Sequence, residues 1–132
     1  MSLISVAGSG PSSKGHRSAN VVTKKKAHWD YDYIVVPRSN WVTRQTDSKA
    51  IGWDKYPNKK KWLKYYAQFT SCKPSNGLMA VFVAIDKYDP DEICLIGFDN
   101  VLDEVRSTQH KWSAEKRCIE SLVKIIDPRQ RS

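Results

Sequence analysis

Two features of the chain have residue types and spacing that could do chemistry: a polar turn and a histidine–glutamate pair. The turn, Lys-Pro-Ser-Asn-Gly at 73–77, opens a long apolar run, and Ser75 or Asn76 can cap the helix that this run predicts. The first-turn amides of that helix and the lysine of the turn would together form an anion site. His110 and Glu115 are two titratable groups in His-x4-Glu spacing at the entrance of a second helix.

Each of these features also has a structural interpretation. The turn could cap a core helix without binding a ligand, since capping alone explains polar residues at a helix entrance. The same reasoning applies to His110. Asp99 follows a Gly-Phe pair after an apolar strand, and the sequence leaves open whether it faces a pocket or caps a turn.

The strands that must position these residues are predicted from short apolar runs. Strands are expected at four places: residues 3–7, 33–36, 50–53 and 92–96. The run at 92–96 is continuous rather than alternating, as expected in a parallel sheet that is covered on both faces. In open α/β sheets the polar residues that follow the strands meet at one edge, which would bring Asn40 and Asp99 close to Ser75.

Helices are predicted at three places: residues 59–69, 77–88 and 113–126. Ser113 is the expected N-cap of the last one, and Glu115 in its first turn suits the helix dipole. Strands that alternate with helices predict an α/β fold. The predicted architecture is a single Rossmann-like three-layer domain with a mostly parallel sheet over residues 1–128, followed by a frayed tail at 129–132.

The first predicted strand runs into a glycine-rich turn, Gly-Ser-Gly-Pro-Ser at 8–12. Gly8 and Gly10 permit positive φ angles and let a ligand approach the backbone closely. The turn falls short of Gly-x-Gly-x-x-Gly, so an ordinary dinucleotide site is not expected. A plain tight turn is an equally good interpretation.

Composition limits the class of protein. The chain has 132 residues, 40% of them hydrophobic and 27% charged, which predicts one soluble globular domain. No apolar run approaches the roughly 20 residues of a membrane span, and residues 3–7 are too short for the core of a signal peptide. Cys72, Cys94 and Cys118 show no Cys-x-x-Cys spacing. We expect a cytoplasmic protein without a disulfide framework or a cysteine zinc site, with Cys94 and Cys118 in the core.

A formal net charge of +8 suggests an anionic partner. Lysines are concentrated at 24–26 and 59–61, and the second run is interleaved with Tyr56, Trp62 and Tyr65. Basic residues among aromatic ones are typical of nucleic-acid surfaces. The same composition fits a site for a phosphorylated small molecule or a solvated helix face.

Five segments occur in an order that is similar to one known family: 6–12, 38–40, 74–79, 92–98 and 110–115. Pro-Ser-Asn-Gly at 74–77 and the strand that ends in Gly-Phe at 97–98 resemble the large motif of the sialyltransferases, glycosyltransferase family 29. His110 and Glu115 match the family's His-x4-Glu motif, and the loop after Val6 resembles its glycine loop. The Gly-Ser-Gly-Pro-Ser loop alone fits pterin pyrophosphokinase-like and flagellin-modifying proteins equally well.

The resemblance implies a very small, phage- or bacterial-type protein that binds a cytidine monophosphate (CMP) sugar without a metal or other cofactor. His110 would take the proton from a hydroxyl acceptor during an inverting transfer, and Glu115 could orient the imidazole or simply lie in the first helical turn. Histidine suits that role because its unperturbed pKa is about 6.5. The nucleotide pocket would be lined by Gly8, Ser9, Gly10, Asn40, Ser75, Asn76, Gly77 and Asp99.

The chain also departs from the family pattern. Asn76 replaces the family's threonine, and no histidine lies between His28 and His110, where the family has a further histidine motif. Two alternatives therefore stay open beside the glycosyltransferase. One is a nucleotide-binding module of the same fold without turnover, and the other is a basic nucleic-acid-binding protein.

Overall fold

The structure is a computed structural model that describes residues 6–8, 33–36, 38 and 50–130. Within these residues it contains five strands, one 3-10 turn and four α-helices. In chain order they are β1 Val6–Gly8, β2 Tyr33–Val36, β3 Ala50–Gly52, the 3-10 turn Trp53–Lys55, α1 Lys59–Tyr66, α2 Asn76–Tyr88, β4 Glu92–Cys94, α3 Asp99–Leu102, α4 Trp112–Glu120 and β5 Lys124–Ile126.

Every described strand pair is parallel. The first sheet has the order β1-β2-β3, in which Ala7 pairs with Ile34 and Val35 pairs with Ile51. The second sheet pairs β4 with β5, and Ile93 lies opposite Ile125. Parallel neighbours require crossover connections, and the connection between β4 and β5 contains α3 and α4. The prediction of a mixed α/β protein with parallel strands is confirmed.

Helix α2 is the central element, as its nearly continuous apolar sequence predicts. It packs against β1 and β2. Its buried side chains are Leu78, Ala80, Val81, Phe82 and Val83. Ser75 caps its start by accepting a hydrogen bond from Leu78 N–H at 3.2 Å, and Asp89 ends it in the left-handed region at φ 44°. The predicted helix and its serine cap are both confirmed.

Helix α1 is attached to α2 by stacked rings and a shared carboxylate. The rings of Trp62 and Phe82 are parallel within 8° with centroids 4.5 Å apart. Oδ2 of Asp86 accepts hydrogen bonds from Tyr56, Asn58 and Trp62 at 2.6, 2.9 and 2.8 Å. Burial raises the pKa of Asp86, but these three donors outweigh burial and hold the pKa below its usual range. The aromatic residues of this segment therefore serve the core.

The structure corrects two predictions near the end of the chain. The last helix ends at Glu120 rather than at 126, because Ile125 and Ile126 form β5 against β4 instead. Strand β4 spans only Glu92–Cys94, and burial alternates along it, so only one of its faces is covered within the described residues. Cys94 is consequently exposed and not part of the core, whereas Cys118 is buried as predicted.

Arg129, the first residue of the tail that the sequence predicts to fray, is bonded to carboxylates on both sides. Its guanidinium donates two hydrogen bonds of 2.9 Å to Asp103 and bonds Asp127 at 3.0 and 3.1 Å. A planar guanidinium matches a carboxylate in this bidentate way. The frayed part therefore does not include Arg129. Within the described residues no helix is long and apolar enough to cross a membrane.

Candidate functional site

The turn at 73–77 and the His-x4-Glu segment meet at the N-terminus of α2, as the sequence predicts. Ser75 donates twice to Glu115, from its backbone N–H to Oε2 at 2.9 Å and from its hydroxyl to Oε1 at 2.6 Å. The two residues are 40 positions apart in the sequence. Helix α4 begins at Trp112, which places Glu115 in its first turn and directs the carboxylate at the start of α2.

Glu115 is completely buried, with 0% of its surface exposed. Burial raises the pKa of its carboxyl from an ordinary value of 4.5 to about 7, and the two Ser75 donors oppose that rise without cancelling it. No lysine or arginine of the described residues forms an ion pair with Glu115. The carboxyl can thus gain or lose its proton near neutral pH.

This arrangement changes the role of two predicted site residues. The Ser75 hydroxyl gives its hydrogen to Glu115 and accepts from Leu78 N–H, so it is committed to the protein. Both Glu115 oxygens are bonded to Ser75, and the His110 ring contacts the Lys73 carbonyl instead, so Glu115 does not orient the imidazole through a hydrogen bond among the described residues. Of the two predicted roles for Glu115, the place in the first helical turn is the observed one. The pair fixes the turn against α4.

His110 lies beside the same turn. Its Nδ1 is 3.4 Å from the backbone carbonyl oxygen of Lys73, and its ring centroid is 5.0 Å from that of Trp112. A carbonyl oxygen can only accept, so Nδ1 carries the hydrogen in this contact. Nε2 then keeps its lone pair, which makes it the nitrogen that can accept a proton.

Gly77 is explained by packing and not by ligand approach. A Cβ at this position would lie 2.7 Å from Cε2 of Phe98 and 3.0 Å from its Cζ. The half-buried Phe98 ring thus occupies the space beside the first turn of α2. The backbone N–H groups of Asn76 and Gly77 have no acceptor within the described part of the chain. They are the donors that remain for an anion at this helix terminus.

We predict that Gly77→Ala destabilises the fold by about 1 kcal/mol, because the clash with Phe98 outweighs the gain in helix propensity. The effect should reverse when Phe98 is also changed to alanine. In that background Gly77→Ala should be neutral or stabilise by up to about 1 kcal/mol. Urea unfolding of the wild type, the two single variants and the double variant measures the effect of Gly77→Ala on stability with and without the Phe98 ring. An effect of the same size and sign in both backgrounds would contradict the packing role.

The remaining residues predicted for the nucleotide site do not all lie at the N-terminus of α2. Asp99 begins α3 and faces Arg129 at 3.6 Å, with 61% of its side chain exposed. The Asp99 carboxylate is thus engaged by Arg129 and does not take the place in a nucleotide pocket that its position after Gly-Phe suggests. Gly8 ends β1 opposite Val35. Ser9, Gly10 and Asn40 lie outside the described residues.

Sequence reasoning missed two residues at the site. Trp112 is the first, since its ring contacts the His110 ring. The only signal in the sequence for this contact is that Trp112 follows His110 by two residues. Tyr66 is the second, since its side chain is 1% exposed and its hydroxyl has no hydrogen-bond partner. The negative charge of Glu115 adds to burial in raising the pKa of Tyr66. The sequence predicted a helix at this position but could not predict the unpaired hydroxyl.

Within the described residues, neither a group of metal ligands nor the open cavity beside α2 coincides with this site. The described residues contain no group of three or more histidine, cysteine, aspartate or glutamate side chains arranged to hold a metal ion. An open cavity of about 600 Å³ lies near the other end of α2, beside Tyr56, Asn58 and Asp86. None of the described residues predicted for the nucleotide site lines it.

Comparisons with family models, curated proteins and solved structures gave no match to this chain.

Proposed function

We propose that the chain is a small sialyltransferase-like glycosyltransferase that binds a CMP-sugar at the N-terminus of α2. One observation supports this function above others. The two segments that resemble separate family motifs lie together, through the Ser75–Glu115 bonds and the contact between His110 and the Lys73 carbonyl. A shared site would require this meeting.

We infer that the two sheets belong to one Rossmann-like sheet in the order β3-β2-β1-β4-β5. Helix α2 follows β3 and leads to β4, and on the way it packs against β1 and β2. A right-handed crossover along that path would deliver β4 beside β1. The resulting order is that of the first five strands of a dinucleotide-binding fold, with helices on both faces of the sheet.

In the proposed reaction the acceptor hydroxyl oxygen attacks the anomeric carbon as the bond from that carbon to the CMP phosphate breaks. The hydroxyl proton passes to Nε2 of His110, the nitrogen left unprotonated by the Lys73 contact. The charge that develops on the phosphate is met by the free amides of Asn76 and Gly77 and by the exposed Lys73. Attack from the face opposite the phosphate gives inversion, and the step needs no metal.

A second candidate is a nucleotide-binding module of the same fold without turnover. The specific observation in its favour is the commitment of Glu115 to Ser75. A carboxylate bonded to a catalytic histidine raises the basicity of the imidazole, and Glu115 does not do so here. This candidate shares the nucleotide site and differs only in the acceptor step.

Calorimetric titration with cytidine, uridine, guanosine and adenosine monophosphates tests both candidates. We expect selective binding of the cytidine nucleotide. Asn76→Asp should weaken it by about tenfold, since a carboxylate at the first position of α2 favours the helix but repels a phosphate. Asn100→Asp makes the same chemical change in α3 and should leave affinity unchanged. Absence of binding to all four nucleotides would refute the proposal.

A further inference from the structure

The lysines around α1 have no part in the proposed nucleotide site, and their charge is largely unbalanced. Residues 55–72 contain five lysines and neither aspartate nor glutamate. Four of the five lie in α1, at 59, 60, 61 and 64, and the first turn of this helix has no acidic residue. Such a stretch gives one part of the protein a strong local positive charge.

Three of these side chains form one exposed surface. At about 100° per residue, positions 60, 64 and 61 fall within roughly 100° of the helix circumference. All three are exposed, and the opposite side of the helix carries the buried Trp62 and Tyr66. We call Lys60, Lys61 and Lys64 the lysine stripe.

The lysine stripe is electrostatically unfavourable in the free protein. Lys60 and Lys64 form no ion pair among the described residues, and Lys61 reaches Asp86 only at 3.9 Å with 64% of its side chain exposed. Positive side chains in the first turn oppose the helix dipole, and like charges four residues apart repel each other. The Lys61 ammonium also lies 4.8 Å from the centroid of the Trp62 ring. Lys60 and Lys64 have no such partner among the described residues, so the binding of an anion would relieve an existing cost there.

The aromatic residues beside the stripe are not available for stacking on bases. Trp62 is 4% exposed, and its indole N–H is donated to Asp86. The Tyr56 hydroxyl is bonded to the same carboxylate, and the Tyr65 hydroxyl to Ser121 at 2.6 Å. Single-strand binding proteins use free aromatic faces for bases, whereas the rings here pack against other rings of the protein, and ammonium groups dominate the exposed surface. Its chemistry is that of contacts to phosphates.

We propose that the lysine stripe binds the phosphate backbone of nucleic acid without reading its bases. Three ammonium groups along one helix face can each neutralise a backbone phosphate and release its counterion. Affinity then depends on salt and on phosphate density and not on sequence. The inference does not depend on the nucleotide-sugar site, which uses the start of α2.

Fluorescence anisotropy with a labelled duplex DNA of mixed sequence, titrated over a range of potassium chloride concentrations, tests the proposal. The triple variant Lys60→Gln, Lys61→Gln, Lys64→Gln should lose at least about tenfold in affinity at low salt, and its log–log salt slope should fall by about 3. The matched control Arg106→Gln, Arg117→Gln, Lys124→Gln removes the same charge from other exposed positions. Its slope should change by less than about 1.

A single charge reversal, Lys64→Glu, provides a second readout. The introduced carboxylate can pair with Lys60 and so support α1, while its negative charge repels DNA, so DNA affinity should fall without loss of folding. Equal losses in the triple variant and its control would overturn the proposal, since diffuse net charge would then explain binding. Binding of the wild type to phosphatidylserine vesicles but not to duplex DNA would overturn it in favour of a membrane surface. Retained CMP binding in the triple variant separates this inference from the nucleotide site.

Discussion

Replacing His110 by alanine is expected to reduce sugar transfer by about 10²–10⁴-fold, the usual contribution of a general base. The expectation follows from the contact of Nδ1 with the Lys73 carbonyl, which in a neutral imidazole leaves Nε2 as the nitrogen that can act as a base. CMP affinity should change by less than about twofold, since the proposed site binds the phosphate through amides of α2 and not through the imidazole. Transfer to a hydroxyl acceptor and calorimetric titration with CMP measure the two effects separately.

The variant His110→Gln is the control for this prediction. A glutamine side chain can still donate to the Lys73 carbonyl but cannot accept a proton as a base. It should therefore lose transfer as severely as alanine. Transfer that survives in both variants would exclude His110 as the base, whereas absence of transfer in the wild type would favour the module without turnover. A parallel loss of CMP affinity would instead assign His110 to nucleotide binding.

The variant Glu115→Gln is expected to abolish a pH-dependent part of the protein's stability. The folded-state pKa of Glu115 is about 7 and its ordinary value is 4.5, so the folded state binds the proton more tightly. The stabilisation from the protonated carboxyl is fully present below pH 4.5 and is lost as the pH rises through 7. The full change amounts to about 3 kcal/mol. Glutamine cannot ionise, so the variant should lack this decline.

Urea unfolding of the wild type and the variant between about pH 5 and pH 8.5 measures the effect as a difference between two free energies of unfolding. The difference should shift in favour of the variant as the pH rises. Glu120→Gln is the matched control, because this glutamate lies in the same helix and is exposed. A difference between wild type and Glu115→Gln that stays constant across the range would refute the raised pKa.

Helix starts and strands that depend on neighbouring residues alone were predicted from the sequence. The start of α2 followed from a serine before an apolar run, and β2 followed from a short β-branched run. The end of the last helix did not, because Ile125 and Ile126 fit a helical face as well as a strand. Only the pairing with β4 decides between the two, and that partner is about 30 residues away in the sequence.

The site was predicted as a neighbourhood but not as a set of bonds. Its location followed from the rule that strand and helix ends meet at one edge of an α/β sheet. The partner of each polar group did not, because residue types show what a side chain can bond and not what it reaches. Ser75 is bonded to Glu115, and Asp99 faces Arg129. Gly77 likewise looked like a ligand contact, and only the Phe98 ring shows why a side chain is excluded.

The Ser75–Glu115 bonds also set the order in which the chain can fold. A ribosome releases α2 well before α4, so the amide and hydroxyl of Ser75 have only water as acceptor until residue 115 has been made. Burying those two donors earlier would cost free energy, because buried polar groups need partners. The start of α2 therefore becomes buried only when the C-terminal third of the chain arrives. We therefore expect the central helix to complete its folding late, after most of the protein has been synthesised.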